Sequence, residues 1–348
     1  MKRALAAMAA WVLLVSASSP PQVDDTLILG DTLPSSLKAF NLLFGPYGRI
    51  PNGGVTSYRL NTPLFSDYAE KFRFFYVPKG KTIAWRDDGV LDFPVGSVLV
   101  KSFGYPADMR KPDDHVRILE TRLLVRRETG WIALPYVWNA DGTDAILNRA
   151  GLRVDVTWTH LDGKPRTISY AVPNVNQCKG CHDNGANGLG LIGPKARNLN
   201  RDGQLQVLYG AGKLDRLPAE APRLPVWNDP ATGSLERRAR AYLDVNCAHC
   251  HNRNGPANTS GLWLDLEQAP GPNLGIGKRP TAAGRGSGND DFAIEPGHPE
   301  RSIMIYRMQS LDPGIAMPEL GRASVHDEGV ALLSQWIAAM PMKDAANP

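Results

Sequence analysis

The chain is predicted to fold as a multidomain α+β protein, with an N-terminal antiparallel β-rich, sandwich-like domain followed by an all-α domain. Three observations carry that expectation. Short runs rich in β-branched and aromatic residues recur from about Pro34 to Tyr170, separated by turns built on Gly, Pro and Asp. Helical spacing of apolar residues begins only beyond residue 182 and is clearest from Ser234 onward. At 348 residues the chain also exceeds the size at which a single core stops growing.

At the N-terminus, Met1-Lys2-Arg3 precede an apolar run from Ala4 to Val15 and the small residues Ser16, Ala17, Ser18 and Ser19. This is the pattern of a secretory signal peptide, residues 1–17, cut after Ala17. A membrane anchor is the competing reading, but the run falls well short of the ~20 residues a spanning helix needs. No Cys follows the leader, and no other segment is apolar and long enough to cross a bilayer. The mature chain is therefore expected to be soluble and periplasmic or secreted, not membrane-spanning. The formal charge of +4 includes Lys2 and Arg3, which leaves +2 after cleavage. So balanced a surface gives no reason to expect nucleic acid or an anionic membrane as partner. Gly 34 and Pro 28 imply many turns, while 43% apolar content can fill a core.

The β-rich domain is expected over residues 25–175. Its strands are Phe72–Val77, Ser97–Phe103, Glu120–Arg126 and Trp131–Trp138, punctuated by Pro78-Lys79-Gly80, Asp87-Asp88-Gly89, Glu128-Thr129-Gly130 and Asp141-Gly142. A last pair, Leu152–His160 and Thr167–Val172, flanks Asp162-Gly163 as a hairpin. Short strands at this spacing point to an antiparallel sandwich or barrel-like sheet.

Next comes Cys178-Lys179-Gly180-Cys181-His182, in a segment spanning 176–225, and the pattern returns as Cys247-Ala248-His249-Cys250-His251. Two thiols three positions apart reach the two vinyl groups of one haem and add across them as thioethers, and the adjacent His lies under the iron. C-x-x-C-H is therefore the signature of c-type attachment. The four Cys of the chain all fall in this pattern, so two covalent haem c groups are expected, with His182 and His251 as iron ligands. A zinc site wants its C-x-x-C pairs about 15–20 residues apart, and these are about seventy apart. A thioredoxin-like dithiol belongs in a βαβ unit, which neither site has. Two disulfides suit an exported chain but leave the His after each pair unexplained.

The second motif opens a domain over 230–345. Ser234 caps a helix with Leu235, Ala239, Tyr242 and Leu243 on one face. After the motif come a Gly/Pro-rich stretch from Gly255 to Gly297, a short helix from Ser302 to Met308, Ala316-Met317-Pro318, and a helix from His326 to Met340. That order resembles a class I cytochrome c domain. In that family the Met of the loop gives sulfur to the sixth iron position, and the resemblance assigns that role to Met317; a loop Met otherwise fills core. Met304 and Met308 read as core.

Haem 1 has no comparable partner. No Met lies between Met109 and Met304, and Asp183–Gly190 is flexible and poor in ligands. His115, His160, Met304 and Met308 are the distant candidates, His298 and His326 are further free imidazoles, and His249 is expected to face outwards. Lys195, Arg197 and Arg201 either pair with haem propionates or are solvated. Asn139–Asp144 could hold calcium but reads better as a polar turn, and Gly284–Gly288 as a flexible loop.

Asn61–Ala69, Phe93–Gly96, Glu120–Leu124, Tyr136–Trp138, Pro173–Gln177, Gly193–Asn200 and Met317–Gly321 together resemble a family of bacterial dihaem c-type cytochromes, over nearly the whole mature chain. The family name brings no substrate with it. Two functions stand. One is electron transfer between periplasmic redox proteins. The other is a dihaem enzyme, a peroxidase-like oxidoreductase with an open iron site at haem 1. The β-rich domain could dock the chain on a partner or glycan under either.

Overall fold

The computed structural model describes residues 22–183 and 188–342; the expected leader (1–17) lies outside the described residues. The fold mixes helices and strands, and its sheets are antiparallel. Helix α1 (Asp25–Leu29) is capped by the Asp24 side chain, which accepts from the Leu27 N–H, and strands β1 (Leu43–Phe44) and β2 (Ile50–Pro51) form a small hairpin. A six-stranded sheet follows in chain order: β3 (Val55–Ser57), β4 (Glu70–Tyr76), β5 (Val98–Tyr105), β6 (Arg117–Arg127), β7 (Gly130–Trp138) and β8 (Ala145–Leu147). The hairpin β9 (Leu152–Thr159) and β10 (Pro165–Val172) lies apart from it in pairing.

Period-two alternation gives the sheet two different faces. One presents Phe74, Val100, Leu123, Leu134 and Tyr136 to Ile28, Leu37, Phe40 and Leu42 of the N-terminal segment. The other is covered in two places. Phe75 and Leu99 meet Ile83, Trp85 and Phe93 at one end, and Phe103 and Tyr105 meet Val156, Trp158 and Tyr170 of the hairpin at the other. Strand β5 is buried at every residue except Lys101, because both its faces are covered. At Phe103/Gly104 the register with β6 shifts, and a Cβ on Gly104 would come 2.7 Å from the Arg117 carbonyl oxygen.

Helix α2 (Val175–His182) follows the hairpin. Short helices α3 (Ala196–Leu199) and α4 (Gln204–Gly210), absent from the sequence-based expectation, bury Leu199, Leu205 and Leu208 against the Phe75 end of the sheet. Then come α5 (Leu235–Asn246), α6 (Ile303–Gln309) and α7 (Asp327–Ala338), within one residue or two of the predicted helices. Ala239, Tyr242 and Leu243 of α5 pack with Val330, Leu333, Trp336 and Ile337 of α7. The crossing is close at Gly329, where a side chain would run into the Tyr242 hydroxyl and the His326 ring.

Residues 61–69 tie these parts together. Thr62 Oγ1 donates to the Pro225 carbonyl at 2.7 Å, and the Phe65 N–H donates to Asn246 Oδ1 at 2.7 Å. Buried Asp67 accepts from the Ala323 N–H at 2.7 Å and from the Ser324 N–H and hydroxyl at 2.8 and 2.9 Å. Tyr68 Oη donates to Glu328 at 2.8 Å and accepts from the Asp327 N–H at 3.2 Å. Asp67 and Tyr68 adopt left-handed φ values of 50° and 62°, strain held in place by these bonds. No described helix is long and apolar enough to cross a membrane.

Candidate functional site

The first C-x-x-C-H segment occupies the last turn of α2. A capping box starts that helix: Asn174 accepts from the Gln177 N–H at 2.8 Å and Gln177 Oε1 from the Asn174 N–H at 3.0 Å. Cys178 and Cys181, one turn apart, are free thiols, and burial raises both above the usual thiol range. His182 Nδ1 lies 2.8 Å from the Gly190 carbonyl oxygen. A carbonyl only accepts, so Nδ1 holds the ring proton and the lone pair is on Nε2. Burial lowers His182 to about 4, which keeps the ring neutral at pH near 7.

The second segment continues directly from α5, whose N-terminus Ser234 caps by accepting from the Arg237 N–H. The Cys250 and His251 N–H groups turn back onto the Cys247 carbonyl at 3.1 and 2.9 Å. Burial holds Cys247 up at about 12 and Cys250 at about 11, and lowers His251 to about 4. His251 Nδ1 stands 3.2 Å from Ser260 Oγ. That hydroxyl gives its own hydrogen to the Ala257 carbonyl at 2.7 Å, so towards the ring it accepts, and again Nε2 carries the free lone pair.

The fold brings the two segments together. The Cys181 thiol raises that of Cys250, His182 depresses the protonation of His249, and Gly180 faces Leu320 so closely that a Cβ would come within 2.9 Å of its Cδ1. His249 does not face outwards as expected. It is half-buried within electrostatic reach of His182, its Nδ1 enclosed, and the ring takes a backbone hydrogen bond at Val245.

Met317 is half-buried in a loop secured from both sides. Its N–H donates to the Arg307 carbonyl at 3.0 Å, and Arg322 Nη1 donates to the carbonyls of Met317 at 2.6 Å and Met308 at 2.7 Å. The next residues of that loop reach the motifs: Glu319 acts on Cys250, and Leu320 meets Gly180.

Other expectations change. Lys195 and Arg197 are bound to buried Asp244 at 2.9 Å each, Arg197 also to Glu267, and Arg201 to Asp202 and the Leu60 carbonyl, so protein groups already answer all three. Of the distant ligand candidates, His115 is exposed beside Asp114, and His160 sits against Tyr68, Trp158 and Glu328. Met308 is buried in the α5–α7 core and Met304 packs against it. The Asn139–Asp144 turn is closed by its own bonds, with Asp144 accepting from Ser36 and Asp141 from Thr143. Arg322, which sets the Met317 loop, carries no motif that sequence reading could have singled out, and Asp67 lies in the Asn61–Ala69 string without any role being assigned to it.

Among the described residues no three His, Cys, Asp or Glu side chains gather as a metal cage. Paired free thiols one turn apart beside a neutral imidazole with Nε2 free do fit covalent haem, which asks one or two protein ligands of its iron. Comparison with family models, curated proteins and solved structures finds no match to this chain.

Proposed function

We propose that this chain is a periplasmic or secreted dihaem c-type cytochrome that relays electrons between redox partner proteins. The observation that carries the reading is that two complete C-x-x-C-H segments, about seventy residues apart in sequence, lie near one another, each with its imidazole neutral and its Nδ1–H engaged. When bound, each haem supplies a one-electron iron couple.

The chain's own residues do the rest. Cys178 with Cys181, and Cys247 with Cys250, hold the two groups by thioethers. His182 and His251 offer Nε2, fixed in direction by Gly190 and Ser260. The region from α5 to α7 reads as an all-α, class I cytochrome c-like domain: helix, motif, irregular wrap, α6, Met-Pro loop, and α7 crossing α5. In that domain Met317 offers its sulfur as second ligand of the haem at His251, with Arg322 holding the loop. Nearness of the two segments favours a wire, since electrons need not leave the protein to pass between them.

A peroxidase-like enzyme requires an open iron face above His182. The half-buried His249 imidazole, within electrostatic reach of His182 and with its Nδ1 unpartnered, is a candidate to close that face. The mature protein, made with a c-type maturation system, should weigh two haems more than its apoprotein, with neither extracted by acid acetone. Electron paramagnetic resonance of the ferric form should show two low-spin irons. A mass with one haem or none ends the dihaem reading, and a high-spin signal equal to one haem with fast peroxide turnover replaces the carrier by the enzyme.

A further inference from the structure

The sheet face beneath α2 carries a row of cations. Register sets Arg73 opposite Lys101 and Lys101 opposite Arg122, so the three project from one face of β4, β5 and β6. Lys71 stands on the same face two residues from Arg73, in the row of Phe103 and Glu120. Only Arg122 has a carboxylate at ion-pair distance, although Glu70 and Asp67 act on Lys71, Glu70 on Arg73 and Glu120 on Lys101 from further away. The Arg122 guanidinium takes Glu120 at 2.8 and 2.5 Å, a carboxylate that also accepts from Tyr170 Oη at 2.6 Å. Among the described residues no carboxylate pairs with Arg73, Lys71 or Lys101. Arg73 Nη1 reaches the Lys71 carbonyl at 3.3 Å, while Nη2 is enclosed with no acceptor. The Lys101 ammonium lies 4.8 Å from the centroid of the Phe103 ring.

Gathering these charges on a half-buried surface is unfavourable. Burial, with Arg73 alongside, pushes Lys71 down to about 7 and Lys101 further below its usual range, against the opposing pull of Glu70 and Asp67 on the first and Glu120 on the second. Such an arrangement persists where an anion completes it. Its position says which anion. Helix α2 lies against β7, and Arg122 acts on Cys178 and Cys181. Arg73 stands two strands beyond Arg122, about 10 Å further from the thiols at the usual interstrand spacing. A porphyrin tethered through its vinyl groups has its two carboxylates on the opposite edge.

We infer that Arg73, with Lys71 and Lys101, clamps the propionates of the haem attached at Cys178 and Cys181. The inference rests on the proposed reading of that motif. A small oxyanion from solution has the same chemistry, so the test separates the two sources.

The dihaem protein, Arg73→Gln, Arg73→Lys and, as a second position on the same face, Lys71→Gln are titrated spectroelectrochemically between about pH 5 and 8, with and without inorganic phosphate. Both Gln variants should retain two haems by mass. One of the two potentials should fall by about a tenfold change in the reduction equilibrium, which is 59 mV for one electron. That potential should also gain a pH dependence, because a released propionate takes up a proton on reduction. Arg73→Lys should stay close to the parent, and phosphate should leave the parent unchanged. Unaltered potentials and pH slopes in both Gln variants overturn the clamp. A saturable phosphate shift in the parent that Arg73→Gln abolishes also overturns it, and gives the row to a small oxyanion. A parent lacking haem at Cys178 and Cys181 by mass removes the reading beneath it, an outcome the potentials do not mimic.

Discussion

The Cys247–His251 segment and the Cys178–His182 segment carry the same side chains at the same spacing, yet they are supported in different ways. The second is built from its own neighbourhood in the chain: α5 leads into it, Ser260 orients His251, and α6, the Met317 loop and α7 follow in order around one core. The first borrows its surroundings. Its helix is capped locally and His182 is oriented by Gly190, but the groups above and beside it arrive from β5, β6 and the other segment. A site assembled from local pieces tolerates damage elsewhere, and one assembled from distant pieces depends on the whole fold.

The largest effect should come from deleting each thiol pair in turn. Cys178→Ser with Cys181→Ser should remove one haem by intact mass and leave the Cys247 haem with unchanged spectrum and potential. Cys247→Ser with Cys250→Ser should remove the other haem and also perturb the first, because Cys250, His249 and Leu320 all approach it. Equal and independent losses would erase the asymmetry.

Met317→Ala sharpens the comparison. The weak sulfur-to-iron band at the red end of the ferric spectrum should vanish, and one potential should fall by on the order of a hundredfold in the reduction equilibrium, since axial ligands move haem potentials over about 0.8 V. The other haem should not respond. An unaltered spectrum transfers the role away from Met317.

The same contrast governs what could be read from sequence. Helices α5, α6 and α7 were legible because their apolar spacing and the Ser234 cap are local signals, and β4 to β7, β9 and β10 because each is a β-branched or aromatic run between turns. Helices α3 and α4, at four and seven residues, are too short for periodicity to show. The strained Asp67–Tyr68 turn looks like any polar loop until Ser324 and Glu328 come to it from residues far along the chain. The cations Arg73, Lys101 and Arg122 each interrupt an apolar strand, a visible oddity, but only register puts them in one row.

The join between the two regions should be pH-sensitive through His326. This ring stacks on Phe65 at 4.1 Å between centroids, contacts Trp227 and Tyr68, hydrogen-bonds Tyr242 Oη at 2.9 Å, and lies near Glu328 and Lys71. Burial lowers it to about 4 despite the opposing pull of Glu328. A histidine depressed in the fold contributes fully above its ordinary value of 6.5, and that contribution is lost as pH falls towards 4, where only the unfolded chain takes up the proton. In thermal melts of the full chain, His326→Phe should therefore flatten the loss between those values by about 1–3 kcal/mol. Parallel pH profiles for parent and variant would show that this ring does not couple the regions.

The smallest effect belongs to the local support of the first segment. Asn174 satisfies the Gln177 N–H, and Gln177 answers the Asn174 N–H, so two donors at the start of α2 depend on one residue pair. Removing an N-cap of this kind costs about 1 kcal/mol. In Asn174→Ala the helix that presents Cys178, Cys181 and His182 has only its tertiary contacts to hold it, and those include β7 of the sheet and Leu320. Global stability should fall by about 1 kcal/mol, while haem attachment at Cys178 and Cys181 becomes incomplete under limiting haem supply and attachment at Cys247 and Cys250 does not. The matching change at the other site, Ser234→Ala, removes the cap of a helix whose buried face is packed against α7. It should cost a similar amount with no loss of loading, because α5 is held along its length by Leu333, Trp336 and Ile337. Equal loading defects in the two cap variants, read by intact mass, would show that the first segment is no more dependent on distant support than the second.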